Sequence, residues 1–169
     1  MKRTYRLYNI LFPIWMLIFF PTYLWLLLIP ANYLIDYLVT RLSMKYLDIE
    51  DYRKKALRHS WKICIIGFLS DLIGAAFLLG TELIVDRQGN RDLYELINGI
   101  NWNPFVNIYS FLLIVAGIVI AGVCIYFLNR WMLGKDKELT KQQVNKIALY
   151  LAIFTAPYLF LIPSMWIYR

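Results

Sequence analysis

Apolar positions fall into four runs separated by short polar links, at residues 10–39, 63–85, 105–128 and 147–167. The last three have the length of ~20 residues that a membrane-spanning helix needs. Trp61, Trp102, Trp131 and Trp166 mark their ends, as expected of rings that settle at the headgroup level. The pattern predicts an all-α integral membrane protein: one compact helical bundle of three transmembrane helices preceded by a proline-broken hydrophobic segment.

The first run is the irregular one. As a straight helix, residues 10–39 would extend ~45 Å against a hydrocarbon core of ~30 Å, yet they are too few for two full crossings. Pro13, Pro21 and Pro30 interrupt the run, which therefore forms either a long kinked span or a re-entrant hairpin turning near Pro21 and Thr22. Basic residues weigh these options: three precede the run, and seven, two and five occupy the successive links, with one at the C-terminus. A hairpin places fifteen inside and three outside, whereas a single crossing places twelve inside and six outside, so the positive-inside bias favours the hairpin. Against it, non-helical backbone at membrane depth must be sheltered by protein or water. Both schemes make the links after the first and third runs cytoplasmic.

The links carry their own patterns. Residues 40–60 read as a basic interfacial helix on the cytoplasmic face, with Leu42, Tyr46, Ile49, Ala56 and Leu57 along one stripe. Residues 86–103 form an extracytoplasmic link holding a shorter helix, with Asn90 as its cap and Gly99 as its stop. In the cytoplasmic link 129–146, Thr140 and Gln143 make a capping box, and Leu139 with Val144 the matching hydrophobic staple, so the last helix begins in water. Pro157 and Pro163 predict a kink or an unwound turn in its outer half.

Composition agrees with a lipid environment: 60% of the 169 residues are hydrophobic and 17% charged, too apolar for a soluble domain of this size. The net charge of +7 comes from basic residues confined to the links, which argues for membrane orientation and against nucleic acid. Arg53, Lys54, Lys55, Arg58 and Lys62 form a surface for anionic lipid headgroups or a cytoplasmic protein partner. Cys64 and Cys124 both lie inside apolar runs, and neither a disulfide framework nor a metal-ligand spacing is present.

Asp71 is the residue on which chemistry turns. Nine positions beyond Lys62, it lies ~13 Å below the interface, where a carboxylate costs ~2.5–3.5 kcal/mol and ordinarily faces a bundle interior or a wet cavity. Glu82 returns to within ~20° of the same helical direction, and Gly67, Ser70, Gly74 and Ala75 complete a small, polar stripe. That stripe has two readings: a path for a cation or proton, or close helix packing with neutral bonding to residues such as Asn107, Tyr109, Ser110, Tyr150 or Thr155. Gly117, Ala121 and Gly122 supply a second small-residue surface for helix contact or self-association.

An enzyme is not expected. The sole histidine, His59, has no cysteine or carboxylate cluster beside it in sequence, and no phosphate loop, nucleophile elbow or cofactor motif occurs. Intramembrane acid catalysis would require a second carboxylate at depth on another helix, and none is expected. The leading functional expectation is a small, homo-oligomeric channel or transporter-like protein of the bacterial inner membrane, conducting a cation or proton past Asp71 and Glu82. The alternative is a non-catalytic accessory or scaffold subunit bound to another membrane protein.

Overall fold

A computed structural model describes residues 15–16, 25–86 and 91–166. The elements among them are helical: α1 (Trp25–Tyr46), α2 (Tyr52–Asp86), α3 (Arg91–Asn101), α4 (Ile108–Leu133) and α5 (Lys141–Phe154), with short 3-10 turns at Pro104–Val106, Tyr158–Leu161 and Ser164–Trp166. Among the described residues three stretches are long and apolar enough to cross a membrane, Tyr52–Val85, Ile108–Leu133 and Lys141–Leu161. By length and composition this is the make-up of a multi-pass membrane protein.

α2 packs between α1 and α4, and α5 packs between α4 and α1, so the four long helices close in the order α1, α2, α4, α5. α3 lies across one end against α2 and α4. The opposite end carries the α1–α2 turn and the α4–α5 loop, and is called the basic end below. Two groups of buried side chains fill the interior. One, toward the basic end, contains Met44, Ile63, Ile125, Leu133, Ile147 and Leu151. The other, toward α3, contains Trp15, Leu78, Ile100, Ile114, Ile118 and Phe160. Outward positions such as Leu69, Ile73, Leu112, Val119 and Val123 are exposed and apolar, which suits a lipid-facing surface.

Small residues set the closest helix approach. A Cβ on Gly74 would lie 2.7 Å from the Gly117 carbonyl oxygen and 3.1 Å from Ala121 Cβ, so α2 and α4 touch backbone to backbone there. Gly122 faces α5, where an added Cβ would stand 3.5 Å from the Ala152 carbonyl. These surfaces are occupied within one chain.

The interfacial helix expected over 40–60 is not a separate element. Residues 40–46 continue α1 and residues 52–60 open α2, with a turn at 47–51 between them. Asp48 (φ 50°) and Asp51 (φ 52°) take left-handed backbone in this turn, which aspartate tolerates better than most side chains. The cause is burial: Ile49 and Ala56 enter the core beside Met44, while Leu42, Tyr46 and Leu57 stay exposed, so the expected stripe is divided between two faces.

α5 opens on the expected capping box, with Gln143 N–H donating to Thr140 Oγ1 at 3.3 Å and Thr140 N–H to Gln143 Oε1 at 3.0 Å. Leu139 and Val144 are both buried beside it. The helix ends at Phe154, ahead of Pro157, and the chain continues in 3-10 turns. Gly99 does not stop α3, which runs on to Asn101. It is instead the point where Ser110 of α4 crosses, its hydroxyl donating to the Leu96 carbonyl at 3.0 Å. Asn90, Pro13, Pro21 and the hairpin tip at Thr22 lie outside the described residues, whereas Pro30 sits within α1.

Candidate functional site

Between the two buried clusters the packing loosens. Along α2, Ile63 belongs to the first cluster and Ala75 to the second; Leu151 of α5 belongs to the first and Ala156, just beyond α5, to the second. Gly67, Asp71 and Thr155 occupy the gap, and α1 brings Asp36 to the same level. The result is a cavity of about 540 Å³ bounded by α1, α2 and the chain after α5.

Asp36 is the residue that sequence reasoning missed. It is 4% exposed on α1, and a Cβ on Gly67 of α2 would stand 3.6 Å from its Oδ2, so the glycine leaves space for this carboxyl group. Asp71 follows Gly67 by one helical turn, on the same face of α2. It is 9% exposed, and its Oδ1 is buried without a hydrogen-bond partner among the described residues. The second carboxylate at depth, which was not expected, is therefore present.

The cavity wall contains no lysine, arginine or histidine among the described residues. Asn32 and Thr155 are the neutral polar side chains beside the two acids, and Cys64, one turn before Gly67, lies within electrostatic range of both. Two carboxylates in one apolar space without a counter-charge repel each other and lose hydration together, so the doubly ionised state is disfavoured. Thr155 lines the cavity with Asp36, and its hydroxyl donates to the Leu151 carbonyl at 2.9 Å.

The remainder of the wall is large and apolar. Trp15, Trp25, Phe68, Phe154, Tyr158 and Phe160 all line it. Trp25 lies parallel to Phe68, with ring centroids 5.8 Å apart and an interplanar angle of 11°.

The acidic stripe of α2 is divided among neighbours. Ser70 is fully buried and donates back to the Ile66 carbonyl at 2.8 Å, outside the cavity lining. Gly74 and Ala75 face the α4 side, with Ala75 in the second buried cluster. Glu82 is further along, where its Oε1 accepts from Asn101 Nδ2 at 2.9 Å. The structure thus brings Asp71 together with Asp36 and Gly67, and leaves Ser70 and Glu82 in separate settings.

At the basic end a second recess of about 520 Å³ opens between α2 and α4, lined by Arg58, Lys62, Lys135, Trp61 and Trp131, among others. Lys135 Nζ lies 3.3 Å from the centre of the Trp131 ring and Lys62 Nζ lies 5.5 Å from that of Trp61. Arg53 and Lys54 are exposed outside this recess, and Lys55 pairs with Glu138 at 3.0 Å. His59 does have a carboxylate partner: Asp136 Oδ2 approaches its Nε2 at 2.9 Å. Burial raises the Asp136 carboxyl, but the Glu138 backbone N–H, His59 and Arg58 together outweigh it and hold the group below the ordinary aspartate range.

Among the described residues no cluster of three or more histidine, cysteine, aspartate or glutamate side chains is arranged to hold a metal ion. The chain matches no protein-family model, no curated protein and no solved structure.

Proposed function

We propose that the protein is a small membrane transport protein in which Asp36 and Asp71 form a proton site inside the bundle. The observation that carries this reading is that two buried carboxyl groups, from different helices, line one cavity without a basic partner among the described residues. Structural polar bonding alone would leave Asp71 Oδ1 satisfied, because a buried acceptor without a partner costs ~1–3 kcal/mol; among the described residues it has no partner. A proton held on one of the acids removes one charge, and its release to one side after arrival from the other is the elementary step of proton-coupled transport.

Sidedness follows from charge. The basic end, with the α1–α2 turn and the α4–α5 loop, faces the cytoplasm under the positive-inside bias, and α3 faces outward. The recess between Trp61 and Trp131 then lies at headgroup level, where Arg58, Lys62 and Lys135 meet anionic lipid. A bacterial inner membrane suits this arrangement. The site is built within one chain, so a homo-oligomer would combine complete sites rather than assemble one around an axis.

The test is dissipation of a pH gradient in proteoliposomes containing the purified protein, followed with an enclosed pH dye. Wild type is expected to move protons, and Asp36→Asn and Asp71→Asn are each expected to abolish movement at equal protein content. Wild-type flux that survives both substitutions would remove the assigned role from the pair.

A further inference from the structure

The cavity is larger and more apolar than a proton requires. A proton relay needs only a string of hydrogen-bonding groups, yet about 540 Å³ surrounds the pair, within the ~300–1,000 Å³ typical of sites for drug-sized molecules. Its chemistry is selective. The acids supply up to two negative charges, and among the described residues six aromatic side chains line the remainder and no basic group is present to welcome an anion. Aromatic faces attract cations, most strongly where water is excluded. An inorganic ion is a poor match, because Asn32 and Thr155 add only two neutral polar side chains to the carboxylates, whereas a bare calcium ion takes ~6–8 oxygen ligands. A neutral lipophile would leave Asp71 Oδ1 unpartnered.

From this lining we infer that the cavity binds a lipophilic organic cation, an amphipathic amine or quaternary onium ion whose charge sits beside Asp36 and Asp71 and whose apolar groups lie among Trp25, Phe68, Phe154 and Tyr158. The inference rests on the carboxylate pair being the proton site. Binding is an exchange: the onium ion enters, the proton carried by one of the two acids leaves to water, and the charge inside the cavity is unchanged. Among the groups facing the pair, α1 brings Asn32, α2 brings Cys64, and the chain after α5 brings Thr155; none carries a positive charge that would compete with the cation. The exchange makes the cation bind more weakly as pH falls, since protons then compete for the same carboxylates.

Tetraphenylphosphonium is the probe, with neutral triphenylphosphine oxide and anionic tetraphenylborate as comparators of similar shape. Titrating the purified full chain in detergent by calorimetry, in two buffers of different protonation enthalpy, reports affinity and protons released together. The phosphonium is expected to bind more tightly than either comparator, to release about one proton per ion from the two acids, and to lose on the order of 30-fold in affinity in Asp36→Asn and in Asp71→Asn, as expected when a buried charge pair is broken. Asp71→Glu, which keeps the carboxylate, is expected to retain more affinity than Asp71→Asn and so separates loss of charge from loss of fold. Equal binding of phosphonium and oxide, or phosphonium binding without proton release, overturns the cation site. If that happens while the proteoliposomes still move protons through the pair, only the ligand class fails; if proton movement is also absent, both readings fall.

Discussion

Asp36 of α1 and Asp71 of α2 enter one cavity from two helices joined by the short turn at residues 47–51, with Gly67 making the space in which the first carboxyl lies one helical turn from the second. The pairing depends on that glycine. Alanine at 67 would bring its Cβ to 3.6 Å from Asp36 Oδ2, an ordinary contact, whereas leucine would fill the carboxyl's place. Gly67→Ala is expected to retain proton movement and Gly67→Leu to lose it, with both proteins recovered folded; proteoliposome flux against the melting temperature of each variant checks this.

The α2–α4 contact has a sharper requirement. A Cβ at Gly74 would meet the Gly117 carbonyl oxygen at 2.7 Å, so the two helices must separate to accept it. Gly74→Ala is expected to destabilise by ~1–3 kcal/mol, the usual range for overpacking. Gly80, on the same helix, has open space around its missing side chain. Gly80→Ala is expected to stabilise by up to ~1 kcal/mol through helix propensity. Unfolding of the two variants in one detergent should move in opposite directions.

Thr155 is one of the polar side chains that line the cavity with Asp36 and Asp71. Thr155→Ser keeps the hydroxyl and is expected to behave as wild type. Thr155→Val removes that polar group from the surroundings of the acids and is expected to shift the pH dependence of flux while leaving the bundle folded. The full pH profile of both variants, rather than one rate, is the measurement.

At the basic end, Asp136 ties the α4–α5 loop to His59 of α2. Because its folded-state carboxyl is held below the ordinary value, ionised Asp136 stabilises the fold above the unfolded pKa of about 3.9, and this contribution is lost as pH falls through the depressed folded value. Asp136→Asn is expected to lower stability at neutral pH and to flatten the acid limb of the stability profile. Detergent unfolding curves collected from neutral to acid pH read both effects.

These relationships differ in how far the chain order reveals them. The capping box at Thr140 and Gln143, and the end of regular helix ahead of Pro157, depend on residues within one or two turns of each other, and local chemistry suffices. The long apolar runs are legible for the same reason. Asp36 was hidden because it stands near the end of a run broken by three prolines, so its depth is undefined until α1 is packed on α2. His59 and Asp136 are separated by 77 positions and meet only when α4 returns beside α2. The stripe on α2 was visible as a set of small and polar positions, but neighbouring helices decide its meaning: α1 takes Gly67 and Asp71, α4 takes Gly74, and α3 takes Glu82 through Asn101.

The central claim is that the Asp36–Asp71 pair holds a proton, and infrared spectroscopy of the purified protein tests it without needing flux or ligand. A carboxylic C=O stretch is expected in the wild-type protein that disappears as pH is raised and is lost or displaced in both Asp36→Asn and Asp71→Asn, since each substitution removes one member of the pair. A spectrum in which neither aspartate contributes a carboxylic band at any pH where the protein remains folded would contradict a proton held by the pair, and with it the transport role drawn from it.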